Sequence, residues 1–350
     1  MQTADKITIM DIARLTGLSK GTVDRVLHNR GEVSPKSKKK ILKVIQDLGY
    51  KPNVYASLLA SSKHYTIAVL IPSQEEGSFW GLMASGIERA RKHIALLGVR
   101  VETVEYDQYD SDSFDTACRQ LMELEPAGVV VVPLFSDSTK NLTARLREKG
   151  IPYTFIDSKL EDPGYLAYFG MPMNKSGYLC ADLLTSGRPV KEIAAVRIIR
   201  DKGNQSDPTE NRRNGFMAYL QEHYPDCQVH HVFIEPDNPA KIDKTLAEFF
   251  SSHPDVRHIV MFNSRIYLVA AFLERHGICG CRVIGFDNLA ANVDALRRGT
   301  VSSLIAQHPD EQVNLAIQAL SDHILLKQDP HTKDNHMHMD ILTRYNVEDY

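Results

Sequence analysis

Lys20, Gly21, Thr22 and Arg25 occupy outward positions near the start of a short helical pattern that opens just after a glycine turn. An arginine placed there can fork onto guanine edges, while lysine, threonine and the helix N-terminus suit phosphates or bases. A second set of polar residues lies far downstream, each group directly after an apolar run: Ser73, Gln74 and Glu75; Asp157 and Ser158; Asn263 and Ser264; Asp287 and Asn288; and Gln307. Singly, these are ordinary loop or cap residues. Together, at the carboxyl ends of strands in a doubly wound sheet, they form a ring of donors and acceptors around a cleft. The chemistry offered is groove reading near the beginning of the chain and small-molecule binding in the remainder. Glu75 and Glu76 could be mistaken for a catalytic carboxylate pair, but adjacent residues rarely face one substrate together, and loop acids are the simpler reading. The sequence has no Gly-x-Gly-x-x-Gly, P-loop, His-Glu-x-x-His or Gly-x-Ser-x-Gly pattern. No catalytic residue, cofactor or metal is expected, and the chain does not read as an enzyme.

The elements that must position the first set are short helices. Thr8 caps a helix with Ile9, Ile12, Ala13 and Leu15 as its apolar positions, and Gly17 supplies the left-handed residue that ends it. Ser19 is a second N-cap, opening a helix from Lys20 to about His28 whose inward face is Val23, Val26 and Leu27. Helix, tight turn, helix is the spacing that lets a second helix project into a major groove. Ser34-Pro35 starts a third helix running through Ile41, Leu42, Val44, Ile45 and Leu48 to Gly49. Pro52 to Lys63, which includes Asn53, Ala56 and Leu59, has a proline start and an apolar pattern too short to be a stable helix alone.

Charge separates this head from the rest. Twelve basic and five acidic residues fall in the first 63, giving +7 and leaving −10 for the remainder of a chain whose total is −3. A basic unit on an acidic body points to a polyanion partner for the head alone. A length of 350 residues with 43% hydrophobic content predicts two or three cores. The first residues lack a signal-peptide pattern and no apolar run approaches a membrane span, so a cytoplasmic protein without a membrane role is expected. The five cysteines are scattered and read as reduced packing thiols, and Cys279-Gly280-Cys281 lacks the second pair a metal site needs. His331, His336 and His338 read as a solvated strand edge rather than as ligands.

Ile7-Thr8-Ile9-Met10-Asp11-Ile12-Ala13, Gly17-Leu18-Ser19-Lys20-Gly21-Thr22-Val23-Asp24-Arg25-Val26-Leu27, Val33-Ser34 and Leu48-Gly49-Tyr50-Lys51-Pro52-Asn53 resemble, in order and spacing, the DNA-binding signature of the LacI family. The resemblance implies base contacts from Lys20, Gly21 and Arg25, with Thr8, Thr22, Ser34 and Asn53 facing the backbone. It further implies that the Pro52 to Lys63 segment becomes a helix when two copies meet on DNA and that Leu59 wedges into the minor groove, kinking it by unstacking a base step. Two departures stand out. Asp24 replaces the usual serine, and Gly21 removes one side chain that could read a base.

From Thr66 onward, apolar strands alternate with amphipathic helices in the βαβ rhythm of parallel sheets. One round runs from Thr66 to Asp157. A second begins near Leu166 and runs to Phe286, after which the chain is expected to cross back. The resemblance extends over this body more loosely. Phe79-Trp80 with Gly86-Ile87-Glu88 is similar to ribose-type sugar-binding proteins and their repressor relatives. Arg212 with Gly215-Phe216, Asn263, Gly285-Phe286-Asp287, Asp157 and Gln307 fall at its ligand-lining positions. Aspartate and arginine bonding vicinal hydroxyls beside an aromatic platform is a sound way to hold a polyol. Gly77-Ser78 replaces the usual Asn-Pro before the aromatics, and Ser264 stands where an aspartate is common.

The expected fold is an all-α three-helix head (1–51), a hinge helix (52–63) and an α/β two-lobed, doubly wound core like periplasmic binding proteins (64–350). The first lobe is expected over 64–162 and 289–325, and the second over 163–288 and 326–350. The expected function is a transcription repressor that reads pseudo-palindromic operator DNA as a homodimer, with a tetramer left open. A sugar-class effector would bind Gln74, Phe79, Trp80, Asp157, Arg212, Asn263, Asp287 and Gln307, while Thr8, Ser19, Lys20, Gly21, Thr22, Arg25, Ser34, Asn53, Ala56 and Leu59 would face DNA. The rivals are a sugar receptor without a DNA role and a carbohydrate-converting enzyme.

Overall fold

The computed structural model describes residues 7–27, 31–48, 63–198, 209–236 and 238–349. The chain divides into two units, Met1–Ser61 and Ser62–Tyr350.

In the small unit, three helices form where the caps call for them. Helix α1 (Ile9–Thr16) is opened by a capping box. The Thr8 hydroxyl accepts from the Asp11 amide at 3.3 Å, and the Asp11 carboxylate accepts from the Thr8 amide at 3.0 Å. It is closed by Gly17 at φ 64°, a conformation that favours glycine. Helix α2 (Lys20–Leu27) follows, with Ser19 Oγ accepting from the Thr22 amide at 3.1 Å. Helix α3 (Pro35–Asp47) is capped by Ser34 with proline at its first position. Ile12, Val23 and Ile41, one from each helix, are fully buried and carry the core. Leu15 and Leu42 differ from expectation and are exposed. On α1 the inward stripe is Ile9, Ile12, Ala13 and Thr16, and at 100° per residue Leu15 lies roughly 110° from its centre. Thr16 takes the buried place by donating its hydroxyl to the Ile12 carbonyl at 2.7 Å. The hinge positions Asn53, Ala56 and Leu59 lie outside the described residues.

The large unit holds two six-stranded sheets. The first contains β1 (Tyr65–Pro72), β2 (Val99–Tyr106), β3 (Gly128–Val131), β4 (Tyr153–Ile156), β5 (Ala167–Gly170) and β11 (Asp334–His336), in the order β11-β5-β4-β3-β1-β2, all parallel. The second contains β6 (Glu192–Ile198), β7 (Gln228–Ile234), β8 (His258–Met261), β9 (Arg282–Phe286), β10 (Ser303–Ala306) and β12 (Asp340–Leu342), in the order β12-β10-β9-β8-β6-β7. Only β12 runs antiparallel to its neighbour. Helices α4 (Met83–Ile94), α5 (Ser111–Glu123) and α6 (Ser136–Glu148) connect the first sheet, and α7 (Met173–Thr185), α8 (Glu210–His223), α9 (Pro239–Ser252), α10 (Tyr267–Arg275) and α11 (Ala290–Arg298) belong to the second. Helix α12 (Pro309–Leu326) returns to the first sheet, its Val313, Ala316, Ile317 and Leu320 fully buried in that core.

The pleat of β6 shows why helices cover both faces of the second sheet. Ile193 and Ala195 face a core shared with Cys180 and Leu184 of α7 and Phe216 of α8, whereas Ala194 and Val196 face a core shared with Leu246 of α9 and Leu273 of α10.

The lobes are divided differently from the sequence expectation. β5 extends the first sheet rather than starting the second, because Ala167–Gly170 is buried throughout and pairs with β4. Residues 289–306 belong to the second lobe, since β10 pairs in parallel with β9 and the helix between two such strands must cover their own sheet. Ala295 and Leu296 of α11 accordingly pack into that core. β11 lies in the first sheet, so the chain passes between lobes three times: after β5, between β10 and α12, and between β11 and β12. Cys279 is exposed rather than packed, and all five cysteines are free thiols.

Candidate functional site

Helix α2 buries Val23 completely and turns Ser19, Lys20, Gly21 and Arg25 to solvent, with Thr22 half-buried. Ser19 and Thr22 are tied together, their hydroxyls 2.9 Å apart, which fixes the N-terminal turn. On α3, Lys36, Lys38, Lys39, Lys40 and Lys43 are all exposed. The small unit therefore presents a short helix with an arginine and a lysine free to reach outward, beside a strongly cationic third helix. That combination suits a base edge flanked by phosphates. A Cβ placed on Gly21 would meet nothing closer than Ser19 Oγ at 3.9 Å. Gly21→Ala is therefore expected to leave the fold intact and stabilise the head by roughly 0.5–1 kcal/mol, read as a higher midpoint for its calorimetric transition.

In the large unit a cleft of 320 Å³ lies where the strands of both sheets end. Of the eight residues expected to bind an effector, Phe79, Trp80, Asp157, Arg212, Asn263, Asp287 and Gln307 line it. Gln74 does not; it turns toward the edge strand β2, where its Nε2 donates to Glu105 Oε1 at 3.1 Å. Trp80 is nearly buried, stands edge-on to Phe79 with ring centroids 4.9 Å apart, and donates its Nε1 to Gln108 at 3.2 Å. Glu75, Glu76, Tyr109, Met173, Arg265 and Tyr267 also line the cleft. Tyr109 and Arg265 face each other across the lobes at 3.3 Å, a contact that sequence spacing gives no sign of.

Arg212 is held in place before any ligand arrives. Its Nε donates to Ser176 Oγ at 3.2 Å, its Nη1 donates to the Phe262 carbonyl, and its guanidinium lies 3.8 Å over the Phe286 ring. Two glycines make this possible. A Cβ on Gly177 would fall 1.7 Å from the Arg212 carbonyl, and one on Gly215 would fall 1.9 Å from that of Asn174, so only glycine lets α7 and α8 approach this closely. Burial pulls the Arg212 pKa down, opposed by the charges of Asp287 and Asp157.

The two aspartates occupy matching places. Asp157 follows β4 at φ 64° and Asp287 follows β9 at φ 67°, both left-handed. Each donates its amide to the next strand of its own sheet, Asp157 to Phe169 and Asp287 to Ile305, at 3.1 and 3.0 Å. A non-glycine residue there costs of order 1–3 kcal/mol, least for Asp and Asn, and is held only when its surroundings over-determine it. For Asp287 the surroundings include Asn292, whose Nδ2 lies within hydrogen-bond reach of the carbonyls of Ser264, Phe286 and Asp287. Burial pushes the Asp287 carboxyl up to about 6, against the opposing pull of Arg212 and of Gln307, which donates to it at 2.9 Å. The Gln307 Oε1 is buried without a partner, an acceptor facing a polar cleft. Sparse buried donors and acceptors beside an aromatic pair suit a compact polyhydroxylated molecule.

Among the described residues no three His, Cys, Asp or Glu side chains gather as a metal site, and no helix is long and apolar enough to cross a membrane.

Comparison with known proteins agrees with both halves. Residues 8–53 match the model of bacterial regulatory proteins of the lacI family, and residues 67–328 match that of the periplasmic binding protein domain. Over 88 residues the chain is 42% identical to catabolite control protein A of Streptococcus mutans, covering 25% of this chain and 26% of that protein. It thus spans about a quarter of the length of the catabolite control proteins it matches. Over 330 residues it is 24% identical to the sucrose operon repressor of Pediococcus pentosaceus, covering 91% and 93% of the two chains. A solved structure from Bacteroides fragilis, assigned to the LacI transcriptional regulators, superposes with a TM-score of 0.78 at 35% identity, covering 82% of this chain and all (100%) of that one.

Proposed function

The chain belongs to the LacI family of bacterial regulatory proteins, and from that premise we propose that it is a cytoplasmic transcriptional repressor controlled by a sugar or sugar derivative bound between its lobes. The observation that carries this reading is the pairing of an outward-facing, cationic helix-turn-helix with an aromatic and polar cleft in the same chain. Two copies would read the halves of a pseudo-palindrome, as two-fold symmetric readers do. Effector in the cleft would draw the lobes together, and operator affinity changes only to the extent that the effector binds the DNA-bound and free forms unequally. The sugar class is supported by the Asp287, Gln307 and Arg212 cluster beside Phe79 and Trp80, and by likeness over nearly full length to a sucrose operon repressor.

Trp80 is the sole tryptophan of the chain and lines the cleft, so the protein carries its own reporter. Titration with D-glucose, D-galactose, D-ribose, D-arabinose and D-glucuronate is expected to change its fluorescence for at least one of them. The same compound should raise the melting temperature by mass action and emerge chemically unchanged. No response to any of them would remove the sugar assignment, and turnover of one would favour an enzyme.

The segment bearing Leu59 carries a separate expectation. Leu59→Ala removes the side chain assigned to the minor-groove wedge and should weaken binding to a selected operator by about tenfold or more, measured by fluorescence anisotropy. Unchanged affinity would remove the wedge role.

A further inference from the structure

The geometry points to Gln312 as the positioning residue that joins the two cleft aspartates, one in each lobe, into a single hydrogen-bonded unit. This rests on the sugar-cleft reading and deepens it. Gln312 lies on α12, a helix of the first lobe, and is completely buried. Its Oε1 accepts from the Asp157 amide at 3.0 Å, and its Nε2 donates to the Gln307 carbonyl at 2.9 Å. Gln307 follows β10 of the second sheet and donates its own Nε2 to Asp287 Oδ1 at 2.9 Å. A continuous chain of amides therefore runs from the left-handed turn after β4, across the passage from β10 to α12, to the carboxylate after β9.

Its ends are held on both sides. The Tyr168 hydroxyl donates to the Asp157 carbonyl at 3.0 Å, and Asn292 holds the Asp287 carbonyl at 3.1 Å. An amide is the side-chain type that fits the middle of this chain, because it presents one acceptor and one donor in fixed relation. The Asp157 amide is shared between Gln312 and the Phe169 carbonyl, so breaking the link leaves that amide its strand partner but takes from the Gln307 carbonyl its side-chain donor and removes the connection between the two turns. A ligand that pulls Asp287 and Gln307 toward its hydroxyls would therefore shift the loop after β4 as well.

The test compares the full chain with Gln312→Leu and Gln312→Glu, using Trp80 fluorescence for affinity and amide hydrogen exchange for the lobes. The probe is whichever of D-glucose, D-galactose, D-ribose, D-arabinose and D-glucuronate gives the largest response in the unsubstituted protein, at saturation. That protein should gain protection in both β4–β5 and β9–β10. Q312L should bind about tenfold more weakly and gain protection in β9–β10 alone. Q312E separates this role from simple destabilisation. In its acid form the side chain can both accept from Asp157 and donate to Gln307, whereas its carboxylate only accepts. First-lobe protection, taken relative to the unsubstituted protein at each pH, should therefore return as pH falls. If Q312L melts lower yet binds within about twofold of the unsubstituted protein and protects both lobes, Gln312 is only a packing residue and the inference is overturned. If none of the five sugars moves Trp80 fluorescence in the unsubstituted protein, the sugar reading itself fails and takes the inference with it.

Discussion

Replacing Asp287 with asparagine is expected to raise the melting temperature of the ligand-free protein while lowering sugar affinity by about 100-fold or more. The two effects have one cause. Asp287 is buried at the end of β9, and its pKa stands at about 6 against an ordinary 3.8. Below 3.8 the group is neutral in both folded and unfolded chains and contributes nothing. Between 3.8 and about 6 the unfolded chain loses its proton while the folded one keeps it, and above about 6 the fold bears the full cost of a buried charge. Each unit of displacement corresponds to about 1.4 kcal/mol, so that cost is at most about 3 kcal/mol near neutrality. That figure already includes the pull of Arg212 on the carboxylate, and the imperfect hydrogen-bond match of an amide in its place reduces the expected gain to about 1–2 kcal/mol.

Asparagine also tolerates φ 67°, and its oxygen can still accept from Gln307. What it cannot do is accept sugar hydroxyls as a charged carboxylate. In the unsubstituted protein, sugar affinity should therefore fall as pH drops below about 6, while the unliganded fold gains stability over the same interval. Asp162, where burial pushes upward but is outweighed by hydrogen bonds from Tyr153, Gly164, Thr143 and Arg147 that together hold it at about 2, acts in the opposite sense at lower pH. The comparison to make is thus the difference between the protein and D287N across pH, by calorimetry. A variant that is less stable at pH 7, or that keeps full sugar affinity, would contradict this account of the cleft.

Arg25→Ala should cost about 10- to 100-fold in operator affinity and relax sequence preference at one position in each half-site. Arg25 stands exposed on α2, two residues beyond the buried anchor Val23, where its fork can reach a base edge. Lys38 on α3 offers a contrast. As a phosphate contact, Lys38→Ala should weaken all duplexes about equally and reduce the slope of log affinity against log salt by about one. Equal losses on selected and unrelated duplexes for Arg25→Ala would assign it to the backbone instead.

The head was legible because its signals are local. Thr8, Gly17, Ser19, Ser34 and Pro35 each specify a helix boundary within a few residues, and the structure places caps at these positions. The cleft was legible at strand ends, since a doubly wound sheet fixes where its polar loops converge. Boundaries between lobes were harder. The four-residue run Ala167–Gly170 carries no mark of which sheet it joins, and α11 is a nine-residue helix with little apolar surface. Gln74 read as a cleft residue from its place after β1, yet the neighbouring edge strand offered it Glu105. Gln312 was invisible for the opposite reason. On a long amphipathic helix a glutamine reads as solvent-facing, and only the crossing of the chain beside Asp157 buries it.

Selection of duplexes from a random library by the full chain, followed by a salt titration of the winner, bears most directly on the function assigned to this protein. A two-fold symmetric motif should emerge, bound far more tightly than unrelated sequence and progressively released as ionic strength rises. Recovery of no shared motif at moderate ionic strength would contradict the account and leave a sugar receptor without a DNA role.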